Sequence, residues 1–184
     1  AIDAISIGGL ETCIQLPGLD LAFDIGRCPS SAVQRSRVFF THAHIDHMGG
    51  VVAHCATRSL MGLSPPRYMV PRENHAAFED LLAVWRRLDG STLACETVPV
   101  GPGDEIRIRR DTVVRPFRSV HRVPTLGYAV WRTHKRLRRD LVGLSSTEIR
   151  DLRLRGETVD EQTEVPQVVF TGDTCIDVLL REEV

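Results

Sequence analysis

The sequence predicts a single α/β domain with stacked β-sheets. Three observations predict it. Short apolar runs rich in β-branched and aromatic residues recur along the 184 residues, separated by Gly and Pro. One long amphipathic pattern, over residues 72–88, interrupts them as a helix. Two of the strand-like runs end in loops with metal-competent side chains, four of them at 42–47 and Asp173 at 171–174.

In chain order, residues 3–7 and 13–16 are apolar runs about Gly8-Gly9, a hairpin pattern. Leu19 to Ile25 reads as a strand running into a turn, and Pro29-Ser30-Ser31 as the start of a short helix. Arg37 to Thr41 is the next strand, and a helix beginning near Asp46 or His47 continues through Cys55 and Ala56. Tyr68-Met69-Val70 forms a short strand after Pro65-Pro66. Pro71 then sits where a first helical turn tolerates it. Ala77, Leu81, Val84, Trp85 and Leu88 make a stripe expected to pack on a sheet, with Trp85 in the core, and Asp89-Gly90 stops the helix.

Beyond Gly101-Pro102-Gly103 the pattern turns β-like at Ile106–Ile108, Thr112–Phe117 and Leu126–Trp131, strands of an antiparallel sheet with one wet face. Leu137 to Leu154 is charged and weakly helical, a surface excursion, and Gln167–Phe170 is a buried-type strand. No linker divides the chain.

Composition narrows the class. Hydrophobic content of 42% with 26% charged residues suits a globular protein, and no apolar run approaches the ~20 residues that cross a bilayer. Five cysteines, an odd number without a C-x-x-C pair, argue against a disulfide framework or a cysteine zinc site and for a reducing, cytoplasmic setting. The formal charge of −1 hides a segregation: residues 107–139 hold ten arginines and one lysine against the single acid Asp111, a net +10. Such a band suits a polyanion or forms solvated strand faces.

The chemistry concentrates at His42-x-His44-x-Asp46-His47-Met48-Gly49-Gly50. His42 and His44, two apart at a strand end, project to one side and could share an ion; Asp46 and His47 could face a second. The Gly pair allows close backbone approach. His121, in the loop Ser119–Thr125, and Asp173, at a strand end, are the remaining candidate ligands. His54 lies too far along the helix for the same ion and is structural; His75 is a surface residue, and His134 sits among positive charges that disfavour a cation.

These residues resemble the signature of the metallo-β-lactamase superfamily. Within it, His121-Arg122-Val123-Pro124-Thr125-Leu126-Gly127-Tyr128, Thr171-Gly172-Asp173-Thr174 and Leu141-Val142-Gly143-Leu144-Ser145 are similar to the tRNase Z (ribonuclease Z) family. Gly8-Gly9-Leu10-Glu11-Thr12-Cys13 and Leu21–Pro29 resemble its short, plant-type branch. The resemblance implies a metallo-β-lactamase-type αββα sandwich, two mixed β-sheets flanked by helices, as one domain over residues 1–184. It implies two zinc ions, with manganese as the other option. His42, His44 and His121 would hold one, Asp46 and His47 the other, and Asp173 would bridge, while Asp24 would orient a ligating histidine. No histidine follows His134. The late metal-ligating histidine and the late His/acid pair that the family uses are therefore expected beyond residue 184, together with the final strands and helices, and the second ion is the weaker one here. The Gly-rich arm of many members is not evident.

The activity implied is metal-dependent hydrolysis of a phosphodiester at the 3′ end of precursor tRNA or in another RNA, by a homodimer, with Asp46 catalytic and the basic band along the RNA backbone. The competing expectations are a hydrolase of a small ester, lactone, thioester or cyclic nucleotide, and a non-catalytic RNA-binding member of the same fold.

Overall fold

A computed structural model describes residues 1–180. Among the described residues, ten strands form two sheets. The first has six strands in sequence order: β1 (Asp3–Ile7), β2 (Glu11–Leu16), β3 (Leu21–Phe23), β4 (Arg37–Phe39), β5 (Arg67–Pro71) and β6 (Glu96–Val100). β1, β2 and β3 pair antiparallel, and β3 through β6 run parallel. The second sheet contains β7 (Ile106–Arg109), β8 (Thr112–Arg118), β9 (Leu126–Leu137) and β10 (Asp160–Phe170) in the order β10-β9-β8-β7. Every pairing in it is antiparallel, so the expectation of two mixed sheets is corrected for the second. Short connections join β7 to β8 and β8 to β9, and the longer excursion between β9 and β10, which carries a helix, returns beside β9 as an antiparallel ribbon.

Alternation along the central strands builds two cores. Ala22, Val38, Phe40, Tyr68 and Val70 point to one side, where they meet α2 (Val51–Leu60) and α3 (His75–Asp89) through Cys55, Phe78 and Leu82. Leu21, Phe23, Phe39 and Met69 point to the other side and face Val114, Leu126, Tyr128 and Val130 of the second sheet. Strands buried on both faces read as continuous apolar runs. The inter-sheet core is aromatic: the Phe23 ring stacks on Tyr128 at 5.6 Å and on Phe170 at 5.5 Å between centroids, and Tyr128 meets Phe39 edge-on at 5.3 Å. Such pairs contribute about 0.5–1.5 kcal/mol beyond their area.

Several expected elements shift. The helix expected over 72–88 opens with a 3₁₀ turn at Arg72–Asn74, and α3 proper runs from His75 to a left-handed Gly90 (φ 68°). Its apolar stripe is not its buried face. Phe78 and Leu82 are buried, whereas Trp85 is 41% exposed and Leu88 is 72% exposed, with Leu81 and Val84 also exposed. Trp85 is thus corrected from core to surface, because α3 meets the sheet on the side carrying Phe78. His75, expected at the surface, is half-buried with Nε2 3.0 Å from Thr97 Oγ1.

β6 has no counterpart among the expected strands. Pro99 weakens its pattern, but on the sheet edge a missing N–H costs nothing. β9 and β10 are far longer than expected and pair from Asp160↔Leu137 to Phe170↔Tyr128. The outer half of this ribbon carries the charged excursion. At its end stands α4 (Ser146–Leu154), started by a capping box in which Ser145 and Glu148 satisfy each other's backbone amides. A Gly-rich arm is not legible in the sequence, and the structure shows a long β-ribbon with a helical end.

The expected +10 band is partly neutralised. Arg115 pairs with Glu105 and Glu164, Arg132 with Asp111, Arg138 with Asp140 and Arg107 with Glu105. The acids come largely from outside 107–139, which is why counting within the band overstated it.

Candidate metal centre

The centre is built where β4 ends. After Phe39 the chain leaves the sheet at Phe40 and Thr41 and turns into the four-residue α1 (Ile45–Met48), and α2 follows after Gly49-Gly50. At Gly50 a side chain has no room: a Cβ there would lie 2.2 Å from the Ile25 carbonyl oxygen. This close approach seats α1 against the turn that follows β3, as the Gly pair implied. Asp24 sits in that turn in the left-handed region (φ 56°), a conformation Asp tolerates better than most residues.

Asp24 is wholly buried and organises the histidines. Its Oδ1 accepts from the Thr41 backbone N–H at 2.8 Å and its Oδ2 from the Thr41 hydroxyl at 2.8 Å. The same Oδ2 lies 2.8 Å from His47 Nδ1. With Nδ1–H donating to the carboxylate, His47 Nε2 carries the free lone pair. The Thr41 hydroxyl, having given its proton to Asp24, accepts from His42 Nδ1–H at 2.9 Å. That leaves His42 Nε2 free as well. One carboxylate thus fixes the tautomers of two histidines, one directly and one through Thr41.

The free nitrogens converge. His42, His44 and His121 form one group in which the three ring nitrogens lie within 4.8 Å of one another, and His42, His47 and Asp173 form a second. His42 belongs to both. His42 Nε2 is 2.9 Å from His44 Nδ1, and His47 Nε2 is 3.4 Å from Asp173 Oδ1. Asp46 stands outside both groups: its Oδ2 is 3.7 Å from His47 Nε2 and accepts from the Gly9 N–H at 2.8 Å. The tip of the β1–β2 hairpin therefore reaches the centre.

His121 is delivered by the loop between β8 and β9. Ser119 Oγ donates to the Thr171 carbonyl at 2.8 Å, and the Ser119 N–H donates to the Thr125 carbonyl at 3.0 Å. Asp173 follows Gly172, whose φ of 64° and 3.0 Å Cβ approach to Thr41 admit only glycine comfortably.

These residues fit a divalent cation. Nε2 of His47 and of His121 are buried without a hydrogen-bond partner, an arrangement that costs free energy unless a Lewis acid takes the lone pair. Burial, reinforced by the neighbouring His47, His44 and His121, pushes His42 down to about 3, so its imidazole is neutral as ligation requires. Burial also lowers His47, but the Asp24 hydrogen bond and charge outweigh it and hold the group above the usual histidine value; a bound cation would displace that proton. Burial works against ionised Asp46 too, yet its backbone hydrogen bonds and the charge of His47 keep its pKa below the ordinary carboxylate value.

The remaining histidines stay apart. His54 is buried, 2.8 Å from the Tyr68 hydroxyl and about 3 Å from the carbonyls of Ala32 and Arg35, a structural role. His134 lies on the β9 ribbon, away from both groups. Thr41 and Gly9 were not singled out by sequence. Their partners are 17 and 37 residues distant, and only the fold reveals them.

No protein-family model matches the chain. Among solved structures, the metallo-β-lactamase fold protein YhfI from Bacillus subtilis superposes with a TM-score of 0.50 at 13% identity, over 66% of this chain and 50% of that one. The fold and the histidine-rich centre define the class: a metallo-β-lactamase-fold protein whose donor set suits a metal ion. Among curated proteins, the nuclear ribonuclease Z of Triticum aestivum is 44% identical over 155 residues, 84% of this chain and 88% of that protein. tRNase Z TRZ1 of Arabidopsis thaliana is 40% identical over 98% of this chain and 65% of its own length, and the chloroplastic TRZ2 is 38% identical over 51% of its own length. The chain belongs to the tRNase Z (ribonuclease Z) family. It spans about half to two thirds of the length of the two Arabidopsis relatives.

Proposed function

We propose that the protein is a zinc-dependent endoribonuclease that hydrolyses a phosphodiester at the 3′ end of precursor tRNA. The observation that supports this most is the pair of ligand groups sharing His42, with two buried ring nitrogens left free for a cation. The names of the relatives, tRNase Z and ribonuclease Z, supply the substrate class.

In this reading His42, His44 and His121 would hold one ion, and His47 and Asp173, with Asp46 beside them, would contribute to a second, with manganese an alternative metal. Bound metal would lower the pKa of water and offset charge on the scissile phosphate. The protein's own residues do the rest. Asp24 and Thr41 keep His47 and His42 in the ligating tautomer. Asp46, ionised and anchored by Gly9, is the group placed to take a proton from the attacking water. The loop 119–125 and the Gly172 turn, tied to each other through Ser119 and Thr171, position His121 and Asp173.

Residues 1–184 act as one domain. The five thiols, none in a disulfide, support a cytoplasmic or similarly reducing setting, and no described helix is long and apolar enough to cross a membrane. A homodimer belongs to the same reading, and the exposed Leu81, Val84, Trp85 and Leu88 of α3 give it an apolar contact.

Asp46→Ala in zinc-loaded protein is expected to cut cleavage of precursor tRNA by at least about a hundredfold while RNA binding stays within about twofold. Cleavage at the wild-type rate would sink the catalytic role of Asp46. A second reading, hydrolysis of a small phosphodiester, ester, lactone or thioester, is favoured by one observation: four arginines of the basic band are already neutralised by acids. Parallel assays of precursor tRNA and small esters separate the two.

A further inference from the structure

A cavity of about 240 Å³ opens beside the metal centre, lined by Glu73, Pro102, Arg118, His121, Arg122 and Pro124 among others. His121 belongs to both the cavity and the first ligand group, so the two are continuous. We propose that this cavity seats a second phosphodiester of an RNA strand, adjacent to the one at the metal centre, with Arg118 and Arg122 on its phosphate. The inference rests on the RNA reading above and adds a position on the strand to it.

Among the described residues, four of the ten arginines of the basic band are ion-paired and six are not, and of those six Arg118 and Arg122 line the cavity. Arg107, Arg115, Arg132 and Arg138 are ion-paired. Arg118 and Arg122 are exposed and have no ion pair or side-chain hydrogen bond among the described residues. They stand at the end of β8 and in the loop after it, on either side of His121 in sequence.

Their place suits an anion. Unpaired positive charge beside a centre built for divalent cations opposes metal binding, weakly where solvent screens it. A phosphate on the two guanidiniums would remove that penalty, and planar guanidinium groups match phosphate oxygens well.

The loop is also held in place. Besides the Ser119 contacts, the Val120 N–H donates to Thr174 Oγ1 at 3.3 Å, and Thr125 Oγ1 donates to the Val123 carbonyl at 2.9 Å. The guanidiniums are therefore presented from a fixed backbone, which reduces the ordering cost of binding. The volume lies below that of ordinary drug-sized pockets, about 300–1,000 Å³, and suits a phosphate with its sugar. Glu73 makes one wall anionic, so the phosphate is directed to the arginine side.

The test is binding of a fluorescein-labelled single-stranded RNA oligonucleotide to the full chain in the presence of a chelator, across a salt series. Arg118→Gln/Arg122→Gln is expected to weaken binding about tenfold. It should also flatten the log K against log salt slope by about 1.4, two contacts at about 0.7 each. Arg118→Lys/Arg122→Lys should restore most of the slope. Arg27 and Arg87 are exposed, lie outside the basic band and do not line the cavity, so Arg27→Gln/Arg87→Gln should change affinity less than about twofold. Equal losses in the two Gln pairs, no loss in the cavity pair, or no RNA binding by the wild type would overturn the proposal. Cleavage by zinc-loaded wild type is read separately. RNA that is bound but not cut would refute the nuclease reading while the binding comparison still decides the cavity.

Discussion

At the scale of single residues, two buried histidines show how the same side chain takes different roles. His47 and His54 lie seven positions apart and are both almost fully buried. His47 meets a carboxylate, and its second nitrogen is left free; His54 meets the Tyr68 hydroxyl and two carbonyls and is satisfied on both sides. Burial therefore carries the His54 pKa down to about 4, with Arg58 adding to the effect. Its ordinary value is 6.5, so between pH 6.5 and 4 the unfolded chain binds a proton that the folded chain does not. This group's stabilisation is complete above pH 6.5 and fades as pH falls toward 4, by about 3 kcal/mol in all. Urea denaturation at a series of pH values should show His54→Gln less stable at neutral pH and with a shallower loss over that window. A variant whose pH slope matched the wild type would refute this account of His54.

Among the elements, α3 separates amphipathic pattern from actual burial. Its sequence offers a stripe through Leu81, Val84, Trp85 and Leu88, and its packing uses Phe78 and Leu82. Phe78 reaches Phe40 at 5.7 Å and Tyr68 at 5.8 Å between ring centroids, so the helix is rotated toward the aromatic residues of β4 and β5. Leu82→Ala should cost about 2–5 kcal/mol, the range for emptying a filled core position. Trp85→Ser should cost less than about 1 kcal/mol in the monomer. Thermal or urea unfolding of the two variants gives the comparison, and a Trp85→Ser loss as large as that of Leu82→Ala would return Trp85 to the core. The β9–β10 ribbon teaches a related point. The outer parts of its strands are charged and exposed, so hydrophobic alternation marked only the inner ends, at 126–131 and 167–170, and cross-strand pairing carried the rest.

For the whole molecule, the aromatic layer of Phe23, Phe39, Tyr128 and Phe170 joins the two sheets, and the Tyr128 hydroxyl donates to the Phe40 carbonyl at 2.7 Å beside the metal centre. The sheets are therefore expected to unfold together. Trp85 reports on the first sheet's helix and Trp131 on the second sheet, so single-tryptophan variants follow each separately. Their urea midpoints should coincide, and Phe23→Ala should lower both together by about 3–5 kcal/mol. A shift seen by one tryptophan alone would show that the sheets are independent units.

The sequence by itself determined the strand-ending ligand cluster His42-x-His44-x-Asp46-His47, the α/β class and the family resemblance. Local spacing is enough for these, because strand period and loop position decide where neighbouring side chains point. It also marked His121, Asp173 and Asp24 as partners, through that resemblance. Only the tertiary structure decided which nitrogens are free, that His42 belongs to both ligand groups, and that Asp46 stands apart from them, tied to Gly9. It also decided which arginines keep an unbalanced charge. Hydrogen bonds such as Asp24 to His47, and ion pairs such as Arg115 to Glu164, join residues 23 and 49 positions apart. No local pattern encodes such contacts, because they exist only once the two cores have closed.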